Sequence, residues 1–358
     1  MTINFLTVLF LFMNILIIGP SWVGDMMMSH SLYQRLKQQY PNCNIDVLAP
    51  QWCKPLLARM PEVRNALTMP VGHGTFGLGE RIKIGKSLGG KYDLAIVLPN
   101  SLKSAFIPVF AKIPQRRGWK GESRYFFLND LRNNKKDYPM MVQRYVALSY
   151  EKGNIPQAEN LSIPTPYLEV KAEEVSQTKE HFSSLLDQAE NRPAIGFCPG
   201  AEFGPAKRWP HFHYATLGQQ LIEQGYSLRI FGSKKDTEVG EIIKNTLPTE
   251  LQKYCLNFAG QTSLNQAVDL IADCTAVVTN DSGLMHVAAA VGRPLVALYG
   301  PTSPTYTPPL SDKAEIIRLI EGGLIKVRTS DATKEGYHQS LVDIQPEMVM
   351  EKLLALLS

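Results

Sequence analysis

A chain of 358 residues, 44% hydrophobic and 20% charged, holds enough material for two packed cores and excludes a disordered or low-complexity protein. Its net charge of +4 hides an asymmetry: residues 1–160 carry 20 Lys and Arg against 10 Asp and Glu, and the remainder 17 against 23. A basic half suits an anionic partner or a merely solvated surface. Neither zinc-finger spacing nor an aromatic-basic RNA signature accompanies it, so no nucleic-acid partner is expected.

In chain order, the stretch from Phe5 to Ile18 is almost wholly apolar. It is too short to span a bilayer and lacks the basic flank and small-residue cleavage site of a secretory signal. Residues 1–12 are read as a non-native or mis-started extension ahead of Met13, a short membrane-touching segment being the other reading. Apolar runs at 15–18, 45–48 and 94–98 read as buried strands, and amphipathic stretches at 26–39, 51–59, 79–88 and 104–110 as helices. Pro156, Pro164 and Pro166 then punctuate a polar linker before a helical stretch at 173–187. A second series brings strands at 194–197, 227–231, 276–279 and 294–298, with helices at 211–223, 235–245, 263–272 and 282–291. Such alternation marks parallel βαβ units. The expected class is α/β, with two domains at 13–170 and 171–358, and ligands held by loops at the C-terminal ends of strands facing a cleft.

The five cysteines, Cys43, Cys53, Cys198, Cys255 and Cys274, form no CxxC pair and read as small core residues of a reducing compartment. Four loops carry the chemistry. Gly19-Pro20-Ser21-Trp22-Val23-Gly24-Asp25 follows the first strand without a GxGxxG or P-loop pattern. Its Asp25 suits either a general base at the cleft or an N-cap for a helix starting at Met26. The 198–210 loop, with Gly200, Ala201 and the adjacent Lys207 and Arg208, suits a pyrophosphate, or else is a solvated basic loop.

Thr279-Asn280-Asp281-Ser282-Gly283-Leu284-Met285-His286 is the most distinctive stretch. A strand feeds a tight turn and a helix whose first N–H groups favour phosphate oxygens, and Ser282 and His286 share one helix face. Phe231-Gly232-Ser233 ends another strand and is a candidate nucleoside contact, and the 299–304 turn a candidate cleft lining. In the first half, Asn100, Ser101 and Lys103 follow a strand, and Arg116, Arg117, Lys120 and Arg124 form a basic cluster suited to phosphate or carboxylate, although several such residues are ordinary surface charges.

Taken together, Ser21–Asp25, the 199–209 loop and Asn280–His286 resemble the lipopolysaccharide heptosyltransferases. Glu321-Gly322-Gly323-Leu324-Ile325-Lys326-Val327-Arg328 and Gly336-Tyr337-His338-Gln339-Ser340-Leu341 resemble subgroup II in particular. The likeness runs from about Met13 to the C-terminus. It implies a GT-B fold of two Rossmann-like domains, the first binding the acceptor and the second the nucleotide sugar, with the last helix packing back on the first domain. It further implies an inverting glycosyltransferase that moves heptose from ADP-L-glycero-D-manno-heptose to the first heptose of Hep-Kdo2-lipid A by an α-1,3 linkage, working peripherally at the cytoplasmic face of the inner membrane.

By the same resemblance Asp25 is the catalytic base and Lys207 the phosphate contact. Gly200, Ala201, Phe231, Gly232, Ser233, Asp281, Ser282, Gly283, Met285 and His286 are expected at the donor, and Trp22, Lys103, Arg116, Arg117 and Lys120 at the acceptor. Lys234 stands near a position where a related subgroup has an acidic ribose contact, which leaves its role open. No tightly bound cofactor or metal is expected, since no Asp-x-Asp cluster occurs, while a stimulatory Mg2+ stays compatible. The alternatives are subgroup I transfer to Kdo, a nicotinamide-dependent nucleotide-sugar epimerase or oxidoreductase, disfavoured by the missing GxGxxG, and a periplasmic sugar-binding protein, disfavoured by the missing signal peptide.

Overall fold

The computed structural model describes residues 13–72, 74–201, 205–322 and 336–358. Residues 1–12 and 323–328, on which two of the expectations above fall, lie outside them. The chain divides into two units that meet at Pro166 and Tyr167, a few residues ahead of the expected boundary. Leu168 already belongs to the second unit, where its N–H donates to Ala290 O at 3.0 Å.

The first unit is built on six parallel strands: β1 (Asn14–Ile18), β2 (Asn44–Ala49), β3 (Val63–Thr68), β4 (Leu94–Val97), β5 (Gln115–Trp119) and β6 (Asp130–Arg132). Their order is β3-β2-β1-β4-β5-β6. Parallel strands covered on both faces need continuous apolar runs, and β1 supplies one: Ile15, Leu16 and Ile17 are fully buried. Four helices matter here: α1 (Val23–Gln39), α2 (Leu78–Ser87), α3 (Phe106–Phe110) and α4 (Met141–Ala147). Met26, Met27, Leu32, Tyr33 and Leu36 form the buried stripe of α1.

The second unit repeats the plan with β7 (Ala194–Cys198), β8 (Ser227–Ile230), β9 (Cys255–Asn257), β10 (Ala276–Asn280), β11 (Leu295–Leu298) and β12 (Ala314–Ile317), ordered β12-β11-β10-β7-β8-β9. Its main helices are α5 (Ala172–His181), α6 (His211–Glu223), α7 (Thr237–Thr246), α8 (Leu264–Ala272), α9 (Gly283–Ala290) and α10 (Pro346–Leu357). In each sheet the first strand lies centrally, the next two extend one way and the last three the other. The strand order therefore reverses between β1 and β4, and again between β7 and β10. A crevice outside the carboxyl ends of those two strands is where open α/β sheets hold ligands.

The last helix, α10, shares the core of the second unit: Val349 and Leu353 pack with Leu217, Leu221, Val296 and Leu298. Its apolar stripe covers α6 and the β11 side of its own sheet. Strands β3, β5, β6, β9 and β12 are additions to the sequence reading. β5 and β6 were obscured by charge, because Arg117 on β5 and Arg132 on β6 both grip Asp130 inside the structure, each at 2.6 Å. All five cysteines are free and buried, as expected of core residues.

Candidate active site

The switch point of the first unit holds two candidates. β1 ends in a tight approach, since a side chain on Gly19 would stand 3.1 Å from both Met26 Cε and Val47 Cγ1. The chain then turns into α1, which starts at Val23 with Trp22 at the N-cap and no capping side chain. Asp25 is therefore the third helical residue, and the reading as a cap for a helix at Met26 falls. Its Oδ1 accepts a hydrogen bond from Tyr145 Oη at 3.2 Å instead. Burial raises its carboxyl above the usual range, and the Tyr145 hydrogen bond opposes that rise. Trp22 stands half exposed beside it in the chain.

Lys103 follows β4 in the turn Leu102–Ala105. That turn is held by Ser104 Oγ donating to Ser101 O at 2.6 Å and by Leu102 N donating to Glu122 Oε2 at 2.8 Å. Asp25 and Lys103 thus rise from neighbouring strands at the same carboxyl edge.

The basic cluster separates by location. Arg117 is fully buried, donating to Asp130 at 2.6 Å, Glu151 at 2.7 Å and Leu148 O at 3.0 Å, so it braces the sheet and departs from the expected acceptor role. Arg116 is the second residue of β5, toward the opposite strand end, and donates to Phe127 O at 2.8 Å and Ile113 O at 2.7 Å. It likewise reads as a brace. Arg124 ties Pro99 O, at 2.6 Å, to Trp119 O, and burial lowers its guanidinium to about 10. Lys120 alone of the group is exposed, its ammonium 5.6 Å from the Tyr125 ring centre.

In the second unit, β10 delivers Asp281 and Ser282 to the start of α9. Lys207 Nζ lies 3.2 Å from Asp281 Oδ2, bringing the ammonium to the edge where the first N–H groups of α9 are exposed. One residue before Asp281, the fully buried Asn280 ties the start of the loop after β7 to its end at Trp209. Its Nδ2 donates to Pro199 O at 2.7 Å, and its Oδ1 accepts from Trp209 N at 3.0 Å and Tyr214 Oη at 3.2 Å. His286, on the first turn of α9, is driven down to about 4 by burial against a smaller opposing pull from Asp281, so its ring is neutral near pH 7.

Gly200 and Gly232 both make room for Asp236: a Cβ at Gly200 would stand 2.6 Å from Asp236 Cγ, and one at Gly232 2.7 Å from Asp236 Cβ. Asp236 accepts from Ser233 N at 2.9 Å and Ser233 Oγ at 2.7 Å, and pairs with Arg208 at 3.3 Å. Ser233 thus caps a turn, and Arg208 reaches back over Ala201. Phe231 is fully buried, stacked on Phe258 with centroids 5.9 Å apart. Met285 is fully buried beneath Tyr299 Oη, 3.3 Å from its Sδ. Both side chains are core, and only backbone at those positions can meet a ligand. Lys234 is exposed in the turn Lys234–Asp236. Among the described residues no group of three or more His, Cys, Asp or Glu is placed to hold a metal ion.

Sequence reasoning missed Tyr145, Asn280 as a clasp, and Asp236. Asn280 stood inside a quoted motif, whereas nothing local singled out Tyr145.

Residues 81–357 match glycosyltransferase family 9 (heptosyltransferase). The chain belongs to glycosyltransferase family 9. Within the family it is 70% identical over 346 residues to lipooligosaccharide heptosyltransferase 2 of Haemophilus influenzae, covering 97% of this chain and 100% of that one. It is 60% identical over 349 residues to lipopolysaccharide heptosyltransferase 2 of Escherichia coli, covering 96% and 99%. The solved structure of E. coli ADP-heptose lps heptosyltransferase II superposes with a TM-score of 0.87 at 57% identity, over 96% of this chain and 98% of that one. The GT-B class expected from the sequence is therefore the class observed, and the family 9 chain is a glycosyltransferase. The epimerase and subgroup I readings are not favoured by relatives of this similarity.

Proposed function

We propose that this family 9 enzyme is the inverting transferase that moves L-glycero-D-manno-heptose from ADP-heptose to the first heptose of Hep-Kdo2-lipid A, forming an α-1,3 linkage of the lipopolysaccharide inner core. The acceptor belongs to the first unit and the donor to the second. The observation that carries the donor half is Lys207 held 3.2 Å from Asp281 at the tip of α9. Two oxygens of a diphosphate can be met there by helix N–H groups and the ammonium, which neutralise charge as it develops on departing ADP.

In the first unit, Asp25 accepts the proton of the acceptor hydroxyl as that oxygen bonds to the anomeric carbon and the anomeric carbon–phosphate oxygen bond breaks. Lys103 and Trp22, with Lys120 further out, are the acceptor contacts supported by exposure. Gly200, Ala201, Gly232 and Ser233 shape the donor loop, and Ser282, Gly283 and His286 line its phosphate end.

The decisive experiment is a transfer assay on acceptors carrying no, one or two heptoses, followed by ADP release. Preference for the one-heptose acceptor supports the reading, and preference for the heptose-free acceptor overturns it. Asp25→Asn lowers turnover at least a hundredfold with an unchanged melting curve if it is the base.

Work at the cytoplasmic face of the inner membrane is part of the same proposal. No helix among the described residues is long and apolar enough to cross a membrane. Peripheral contact is supported by the basic first unit and by Phe126, 94% exposed, beside the half-exposed Tyr125 and by Lys120 near the Tyr125 ring.

A further inference from the structure

The catalytic reading of Asp25 leaves open why one oxygen of its carboxylate is already engaged. Tyr145 Oη donates to Oδ1 at 3.2 Å, and the tyrosine is 5% exposed, so this hydroxyl is largely withdrawn from water. Tyr145 sits on α4, seven residues long and far too short to stand alone. Three bonds fix it. Gln143 Oε1 accepts from Met140 N at 2.9 Å, Gln143 Nε2 donates to Ala158 O at 3.2 Å, and Trp119 Nε1 donates to Arg144 O at 2.9 Å. Trp119 is the last residue of β5 and is itself buried. The hydroxyl is thus aimed from a framework anchored to the sheet.

We infer that Tyr145 is a positioning residue for transfer: by donating to Oδ1 of Asp25 it fixes the carboxylate rotamer and leaves Oδ2 as the oxygen that takes the acceptor proton. The inference rests on Asp25 being the base. In the step itself the acceptor O–H bond breaks, its proton goes to Oδ2, the oxygen bonds to the anomeric carbon, and ADP leaves with the electron pair of the broken bond. Tyr145 keeps its own proton throughout.

The environment makes such help necessary. Burial pushes the Asp25 carboxyl up, toward protonation, and the Tyr145 hydrogen bond is the opposing influence. Of the other titratable groups on α1 and α4, Arg144 Nε donates to Tyr138 O at 2.8 Å, His30 pairs with Glu62 at 2.7 Å, Tyr33 Oη meets Ser29 Oγ at 2.8 Å, Arg35 Nε donates to Tyr150 Oη at 3.1 Å and Lys37 Nζ donates to Cys43 O at 2.5 Å.

The test is Tyr145→Phe, which keeps the ring and removes the donor. Full pH profiles of kcat/KM for parent and variant, together with Asp25→Asn, separate the possibilities. The expected result is a kcat at neutral pH about tenfold lower, as for loss of a hydrogen bond to a charged group, with the KM for ADP-heptose within about twofold. The acid limb of the profile moves to higher pH. A merely structural role predicts loss of folded protein with the limb unmoved. An unmoved limb in well-folded Tyr145→Phe, with Asp25→Asn inactive, overturns the inference and spares the base assignment. Active Asp25→Asn overturns both. Should Tyr145→Phe fail to fold, Trp119→Phe, which releases the α4 tether, is read by the same profile: a limb moved upward supports the inference and an unmoved one overturns it.

Discussion

Asn280 has no catalytic chemistry of its own, yet three partners meet at its amide: Pro199 O, Trp209 N and Tyr214 Oη. Replacing it with Ala strands these groups in a buried setting, at a cost of about 2–4 kcal/mol. Because the clasped loop carries Lys207, the KM for ADP-heptose rises along with the loss of stability in Asn280→Ala, and urea melts with donor titration check both. His286 gives a pH prediction. Burial lowers its imidazole from 6.5 to about 4. Between those values the unfolded chain holds a proton that the folded chain does not, so stability rises with pH across that window and is complete above it. The full effect is about 3 kcal/mol. His286→Gln flattens this part of the dependence, measured as urea midpoints at about pH 4.5 and 7 in parent and variant. A parallel slope in both proteins counts against the buried neutral ring.

Among the elements, α2 and α3 meet through Gly85, where a Cβ would stand 2.6 Å from Phe110 Cβ and 2.8 Å from Ile107 O. Ala is the better helix former by about 1 kcal/mol. The clash involves backbone, which cannot rotate away, and overpacking costs about 1–3 kcal/mol. Gly85→Ala therefore lowers the midpoint of unfolding although propensity alone predicts a gain, and a raised midpoint would contradict this packing. The strands differ in how plainly they announced themselves. β1, β7, β10 and β11 are apolar runs whose burial on both faces is written in their own residues. β5 and β6 carry Arg117, Asp130 and Arg132, whose charges are neutralised, among the described residues, by one another and by Glu151. Such a network cannot be recognised before its members are brought together, and for that reason Arg117 read as a ligand residue and proved to be a brace.

At the scale of the whole molecule, the first 160 residues carry an excess of ten positive charges and the remainder an excess of six negative ones. Attraction of the basic unit to anionic lipid is screened over about 8–10 Å at physiological salt. Binding to vesicles containing anionic phospholipid is expected to weaken several-fold between about 50 and 500 mM salt, and Phe126→Ser is expected to weaken it further without changing turnover on a soluble acceptor. Co-sedimentation reads both effects. Binding indifferent to salt and to Phe126 would remove this surface from the membrane proposal.

Seven of the twelve described strands, the two-domain α/β plan and the loops bearing Asp25, Lys207 and Asp281 were determined by the sequence itself, because periodicity, turn residues and short motifs act over a few positions. Tertiary structure alone decided what those residues touch. Tyr145 reaches Asp25 from 120 positions away, Asn280 gathers a loop some seventy residues upstream, and α10 returns to its own unit. Desolvation and hydrogen-bond partnership depend on which distant elements pack together, and no local pattern encodes them.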